Sequence, residues 1–384
     1  MYKIFFIAGM LVITACSTSQ ETQQTEKEIL TSSVFIGTYT RTEGHVDGKA
    51  AGILELILDE KDQLVDQKVV ADIVNPSFVA LGPDSNTLYA VSETGPDDGD
   101  QGWVFLLKKM DNEWSVVDSA GTGGFAPCHV SVNSTGNLVL VSNYVGGVVS
   151  IYKSSKDRLE IIQQLQLEGS GNHPRQESSH THMSILSPDE QYLYIADLGS
   201  NVIWNYRLKS EEEQFIPNQN QPFFALPEAS GPRHMDFHPN GKMMAVICEL
   251  SNTIHSLGFD TETGVLSAID QVSSQETVIE VAGNSTADIH FHPNGNFLYG
   301  SNRGANTIAV LSVSASGKLE VIQQENTRGE FPRNFAISAD GAKLWVANQN
   351  SDNISQYQID PNKGQLTYLK EFKEVMTPVC IAGL

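Results

Sequence analysis

The chain writes one outline over and over. At Gly231 to Leu250 (GPRHMDFHPNGKMMAVICEL) two apolar runs flank Pro239-Asn240-Gly241. A Pro-x-Gly cluster between such runs reads as a tight turn, so the unit is a β-hairpin. The same outline returns at 75–93, 126–144, 180–198, 285–303 and 331–349. Superposed, the copies align Pro76, Pro127, Thr181, Pro232, Thr286, Pro332 and Pro378, at intervals of 51, 54, 51, 54, 46 and 46 residues. A period near fifty residues built of strand, turn and strand predicts an all-β chain folded as a seven-bladed β-propeller. Within one full repeat the pattern predicts four strands, over 233–238, 242–249, 253–258 and 265–271.

The two ends explain each other. Strands are expected at 33–40 and 52–58 with no inner strand before them, whereas 377–384 (TPVCIAGL) reads as an inner strand with no hairpin after it. Joined, they complete a seventh blade from the N- and C-terminal strands and leave no open sheet edge at the seam. Ahead of this domain, expected over 33–384, residues 1–16 have the form of a signal segment. Lys3 precedes the apolar run 4–13, and Thr14-Ala15-Cys16 follows. The run is too short to span a bilayer. Ile13-Thr14-Ala15-Cys16 also resembles a lipobox, which makes Cys16 the expected lipidation site; an ordinary secretory signal that happens to contain Cys is the alternative. Residues 17–32 are a polar tether, almost free of apolar residues at first. The expectation is an exported lipoprotein of the cell envelope that meets the membrane only through Cys16.

The formal charge is −22, and the 24 cationic residues form no basic run. A phosphate backbone needs a positive face, so nucleic acid is excluded as a partner. Small anions need only a few local cations. Beyond Cys16 the cysteines are Cys128, Cys248 and Cys380, an odd number on predicted inner strands. No disulfide framework follows, and buried, inert thiols are expected.

The repeat also locates a site. If His238 pairs with Lys242 across the turn, Arg233 lies opposite Ile247 and Glu249 lies diagonally within reach. The starts of the inner strands and the ends of their partners then share one rim of the channel. One column reads Ser77, Cys128, His182, Arg233, Ala287, Arg333 and Val379; the other reads Glu93, Tyr144, Leu198, Glu249, Arg303 and Gln349. Three of the chain's eight arginines fall in these columns. Arg233 with Glu249 alone would read as a structural ion pair. With Arg303, Arg333 and His182 at equivalent places the cluster reads as an anion site. The pairs His180/His182 and His290/His292 have strand spacing for chelation, but no carboxylate or Cys beside them completes a known ligand pattern, so neither metal nor cofactor is expected. Cys128-His129 invites a nucleophile reading, which is rejected because neighbouring strand residues face opposite ways.

At these residues the chain resembles the seven-bladed lactonases typified by the propeller-type bacterial 6-phosphogluconolactonase, a family that includes fungal carboxy-cis,cis-muconate cyclase. The motifs are Gly37-Thr38-Tyr39-Thr40, Asn143-Tyr144 with Gly146-Gly147, Ser179-His180-Thr181-His182 and Asp197-Leu198-Gly199. Gly231-Pro232-Arg233-His234, Cys248-Glu249-Leu250, Asp288-Ile289-His290, Ser301-Asn302-Arg303-Gly304 and Phe331-Pro332-Arg333 complete them. The resemblance implies a lactone hydrolase that uses His182, Arg233, Glu249 and Arg303. Arg233 and Arg303 would face the carbonyl or a carboxylate, and either Glu249 or His182 would be the base for direct attack by water. Arg333, Tyr144, Glu93 and His180 are the expected substrate contacts, Arg333 for a phosphate or sugar hydroxyl. Export departs from a cytoplasmic phosphosugar substrate. An unphosphorylated sugar lactone, an aromatic-acid lactone or a lactonising cyclase reaction therefore stays open, as does a propeller that only binds glycan or protein.

Overall fold

The computed structural model describes residues 31–43, 46–275 and 281–384. The signal segment and Cys16 lie outside the described residues, and the first strand, Thr31–Thr38, begins inside the stretch assigned to the tether. Seven antiparallel sheets form the blades. The first takes its inner strand, Pro378–Ala382, from the far end of the chain and continues through Thr31–Thr38, Ile53–Asp59 and Leu64–Ala71. Inner strands Val79–Leu81, Phe125–Val132, Thr181–Leu186, Pro232–Phe237, Ser285–Phe291 and Pro332–Ile337 begin blades two to seven. In blade five the remaining strands are Met243–Cys248, Thr253–Phe259 and Leu266–Ser273, close to the expected boundaries. Blade four carries an addition: Gln214–Pro217 and Phe223–Ala225 both pair with Val202–Lys209.

The alternation of the strands gives each sheet two apolar faces, and each face packs on the next blade. Between blades four and five, Tyr194, Met244, Val246 and Phe259 are buried together. Side chains of this size contribute roughly 1.5–3 kcal/mol each when fully buried. The hairpin turns make a second set of contacts. The rings of His238 and His292 each reach the turn of the following blade, 2.9 Å from the carbonyl oxygens of Gly295 and Gly341. Those glycines have φ of +75° and +72°, and an added Cβ would lie 2.5–2.6 Å from the rings.

The pairing corrects the expected register. His234, not Arg233, lies opposite Ile247, and Pro232 lies opposite Cys248, so Arg233 is the extra residue of a β-bulge. The shift recurs at the same place in six blades, leaving Cys128, His182, Arg233, Arg333 and Val379 unpaired, and Ala287 with Asp288. Just before the bulge the backbone is left-handed at Ala126, Gly231, Phe331 and Thr377, with φ between 41° and 64°. A bulge bends its strand and re-aims a side chain. Repeated in six blades, it turns Cys128, His182, Arg233, Arg333 and Val379 toward the channel.

Candidate active site

In blades three, four, six and seven the second strand of the hairpin is anchored at its end by a buried polar residue. The Asn143 amide donates to the Val148 carbonyl at 3.0 Å, Asn302 to Ser274 at 3.0 Å and Asn348 to Thr327 at 3.2 Å. Asp197 fills this place in blade four and accepts from the Ser179 hydroxyl at 2.6 Å and the His180 amide at 2.8 Å. The next residue in sequence reaches the channel mouth as Tyr144 and Arg303, with Glu249 and Glu93 at the same place in their blades. The mouth holds a cavity of about 540 Å³ whose polar wall is Glu93, Tyr144, Arg175, His182, Glu249, Arg303 and Arg333, with Cys128 and Phe331 between them.

Glu249 is the hub. Its Oε1 lies 2.6 Å from Arg175 Nη1, and its Oε2 lies 2.9 Å from Arg303 Nη2 and 3.0 Å from Arg233 Nε. The Arg233 contact is an ion pair but is not aligned as a hydrogen bond. Burial pushes the Glu249 carboxyl up; Arg303, Arg233 and Arg175 together outweigh it and hold the group well below the usual carboxylate range. Burial, with Arg303 and Arg333 nearby, lowers Arg233 to about 9. The guanidiniums are also held by backbone carbonyls, Arg233 Nη1 on Ala287 at 2.6 Å and Arg303 Nη2 on Thr286 at 2.8 Å. Arg303 lies over the Phe331 ring at 5.2 Å and Arg333 over Tyr39 at 5.5 Å. Arg333 Nη2 is 3.7 Å from Glu93 Oε1, and the Ser77 hydroxyl donates to the other Glu93 oxygen.

His182 lines the same cavity, and its buried Nδ1 meets no protein partner. Burial, then Arg233, His234, Arg333 and Arg303, keep its imidazole well below the ordinary value, hence neutral near pH 7. Cys128 also borders the cavity; its thiol points to the carbonyl of His182 at 3.4 Å and is kept protonated by burial.

Two expected site residues sit elsewhere. Arg233 is only 2 % exposed and lies beneath Glu249, off the wall of the main cavity, drawn to the Ala287 carbonyl and the Glu249 carboxylate. His180 stacks behind Tyr144 at 4.6 Å, with Nδ1 2.9 Å from the Tyr144 carbonyl oxygen and Nε2 3.0 Å from Glu177, so it supports the wall without lining it. Arg175 was missed. It stands on the connector between blades three and four, outside the repeat, and reaches in to Glu249 and, at 2.9 Å, to the Tyr144 hydroxyl. Among the described residues no three His, Cys, Asp or Glu side chains gather to hold a metal ion. His290 turns to Asp288 and His292 to Gly341.

The comparisons with known proteins agree with this fold. The family described as "Lactonase, 7-bladed beta-propeller" matches residues 33–382. A 6-phosphogluconolactonase of Bacillus subtilis is 31 % identical over 91 % of this chain and 97 % of its own length. Another, of Formosa agariphila, is 32 % identical over 79 % and 86 %. The structure of a periplasmic gluconolactonase of Pseudomonas aeruginosa superposes with a TM-score of 0.81 at 29 % identity, covering 92 % of this chain and 98 % of that one. With seven bladed sheets and a match that spans nearly all of them, the chain belongs to the seven-bladed β-propeller lactonase family.

Proposed function

We propose that the protein is a hydrolase of lactones that carry an anionic group, a phosphate or a carboxylate, with water as the nucleophile. The observation that carries this reading is the charge of the site. Four guanidiniums, of Arg175, Arg233, Arg303 and Arg333, gather around two carboxylates, Glu249 and Glu93, in a chain of net charge −22. Arg303 and Arg333 present cations to the cavity, where fixed donors matter most as negative charge grows on the carbonyl oxygen. Glu249 spends its oxygens on three cations and is too weak a base to deprotonate water. His182 is neutral, borders the cavity and is the better choice.

In this scheme an O–H bond of water breaks as its oxygen bonds to the lactone carbonyl carbon, and the proton passes to His182. The ring C–O bond then breaks, the leaving oxygen takes that proton back, and the new carboxylic acid loses its proton to solvent. The related enzymes named 6-phosphogluconolactonase support a phosphorylated sugar lactone. A second reading, an unphosphorylated lactone met outside the cytoplasm, is favoured by the signal-like residues 1–16 and by the periplasmic relative. Purified protein lacking residues 1–16, assayed by proton release on 6-phosphogluconolactone and gluconolactone with spontaneous hydrolysis subtracted, separates the two. A preference for the phosphorylated ring supports the first; no catalysis of either, with or without chelator, defeats the hydrolase reading for these substrates. Fractionation of the full-length protein and of Cys16→Ala tests the lipid anchor that goes with the second.

A further inference from the structure

Beneath the reaction cavity the channel contains polar side chains that the hydrolytic scheme leaves unused. Asp288 is almost fully buried and accepts from five directions. Oδ1 meets His234 Nδ1 at 2.6 Å and the Ile289 amide at 3.0 Å. Oδ2 meets His290 Nε2 at 3.0 Å, the Asn334 amide nitrogen at 2.6 Å and the Phe335 amide at 3.1 Å. An acceptor this well supplied stays ionised, so the proton shared with His234 sits on Nδ1. That leaves His234 Nε2 as a bare lone pair. It is buried and meets no protein partner, like Nδ1 of His182. The centres of these two rings are 5.1 Å apart. An N–H···N hydrogen bond of about 2.9 Å between two imidazoles puts their centres roughly 5 Å apart, so the spacing of the rings suits a bond between the orphaned nitrogens once the rings turn to face each other.

We propose that Asp288 and His234 are positioning residues for His182, forming a carboxylate–imidazole–imidazole relay along the channel. Asp288 fixes the His234 tautomer. Nε2 of His234 then accepts from Nδ1–H of His182, which leaves Nε2 of His182 as the lone pair offered to the reaction cavity. When His182 takes the proton of the attacking water, its Nδ1–H bond to His234 strengthens and spreads the new charge toward Asp288. The logic is that of a catalytic carboxylate orienting a histidine, with one imidazole inserted between them. The charged and titratable groups facing His182 are Tyr144 and Cys128 of blade three, Arg233 and His234 of blade five, Arg303 of blade six and Arg333 of blade seven. Those facing His234 are His129, His182, Arg233, Asp288 and His290. His129 is the competing neighbour. Its Nδ1 is also buried without a protein partner, but its ring lies farther from His234, at 5.8 Å, and packs against Phe78 at 4.5 Å, so it is placed beside the relay and not in it.

The proposal rests on His182 as the base, and its test carries one readout that needs no turnover. Nitrogen-15 NMR of the histidine rings at pH 7 should show His182 protonated at Nδ1 and His234 bare at Nε2 in the wild type. His234→Gln should change the His182 tautomer mixture. In activity, His234→Gln should lower kcat by about tenfold to hundredfold with KM nearly unchanged and move the acidic limb of the pH profile. Asp288→Asn should do at least as much, because an amide donates to Nδ1 and forces the wrong His234 tautomer. Asp288 also holds two backbone amides, so thermal melts of both variants come first, and His234→Gln decides if Asp288→Asn does not fold. His129→Gln should leave profile and tautomers as they were. A wild-type profile in His234→Gln, a shift in His129→Gln alone, or His182 protonated at Nε2 in the resting protein overturns the relay. So does a crystal structure with His234 Nε2 bonded to a water in the small chamber between Glu93, Arg233 and Arg333 and His182 Nδ1 left bare. If no lactone is hydrolysed by the wild type, the functional reading fails separately and the tautomers still judge the relay.

Discussion

At the scale of residues, Glu249 shares two oxygens among Arg175, Arg233 and Arg303, so its loss is first an electrostatic event. Glu249→Gln leaves three guanidiniums around a neutral amide, two of them buried. Breaking a buried pair in this way typically costs about 3–5 kcal/mol. We expect a lower Tm that inorganic phosphate raises more in the variant than in the wild type, as a thermal-shift titration would show; equal responses would mean that Glu249 does not hold the cations apart. Arg175 is different because it stands half in solvent, with 47 % of its side chain exposed. Arg175→Ala should leave the melt nearly unchanged and raise KM for a phosphorylated lactone by about tenfold, with less effect on a neutral one, since charge-assisted hydrogen bonds contribute about 1.5–3 kcal/mol. Steady-state kinetics on both lactones checks this. The residues the sequence revealed, His182, Glu249, Arg303 and Arg333, are those the repeat placed in register. Arg175 sits on a connector with no periodic counterpart, so no column could expose it. The repeat columns set Arg233 on the wall instead of beneath it, because its depth follows from the Ala287 carbonyl and the Glu249 carboxylate, contacts across blades that no column records.

At the scale of elements, the bulge shows why the inner strands begin as they do. Gly231 has φ of +64°, and a Cβ there would meet Leu250 Cγ at 2.6 Å. Leu250 follows Glu249, so the collision would be felt at the hub of the site. Gly231→Ala should therefore cost about 1–2 kcal/mol from the left-handed backbone alone and should lower kcat as Glu249 shifts; urea melts and kinetics on the same sample measure both. Unchanged stability would show that the strand entrance relaxes freely. The hairpins, their turns and four strands per repeat were legible because Pro-x-Gly turns and apolar runs are local signals. The extra pairing strand of blade four was not, since its residues lie in the least periodic stretch of the chain.

At the scale of the molecule, one consequence of the buried channel is a pH window. His129 and His182 are held well below the ordinary histidine value, and His234 at about 4, with burial the leading cause in each. Their folded forms resist protonation, whereas the unfolded chain binds protons below about pH 6.5. Stability is therefore whole above that value and falls as pH drops from about 6.5 towards 4. His255, lowered to about 4 by burial, adds a fourth group of this kind. Asp236, raised to about 6 by burial, pulls the other way, as does His290, which burial lowers but Asp288 outweighs and raises to about 9, two groups against four. Glu249 and Asp288 are held so low that their share stays intact through this window. A Tm several degrees lower at pH 5 than at pH 7 is expected by calorimetry, and an equal or higher value would contradict the burial of neutral histidines.

The seam of the ring is the remaining test of the whole fold. Pro378–Ala382 pairs with Thr31–Thr38 through Phe35 with Ala382, Ile36 with Ile381 and Gly37 with Cys380. It packs in two interblade cores, Ile381 beside Trp345 and Ala347 on one side and Cys380 beside Val79 and Leu88 on the other. It also ties the last blade to the first, since the Ile381 amide donates to Asn334 Oδ1 at 2.8 Å and the Thr377 amide to Asp352 Oδ1 at 2.9 Å. Removing residues 377–384 exposes the edge of Thr31–Thr38 and opens both cores at once. Buried apolar contact on both flanks cannot be recovered by a local adjustment, because the neighbouring blades have no other surface to close upon. The truncated protein should be insoluble or should melt without a cooperative transition. A synthetic peptide of residues 377–384, supplied during refolding, should restore part of the soluble fraction by adding the missing strand. A truncated chain that stays soluble and keeps the wild-type cooperative melt would show that the ring does not depend on its terminal seam.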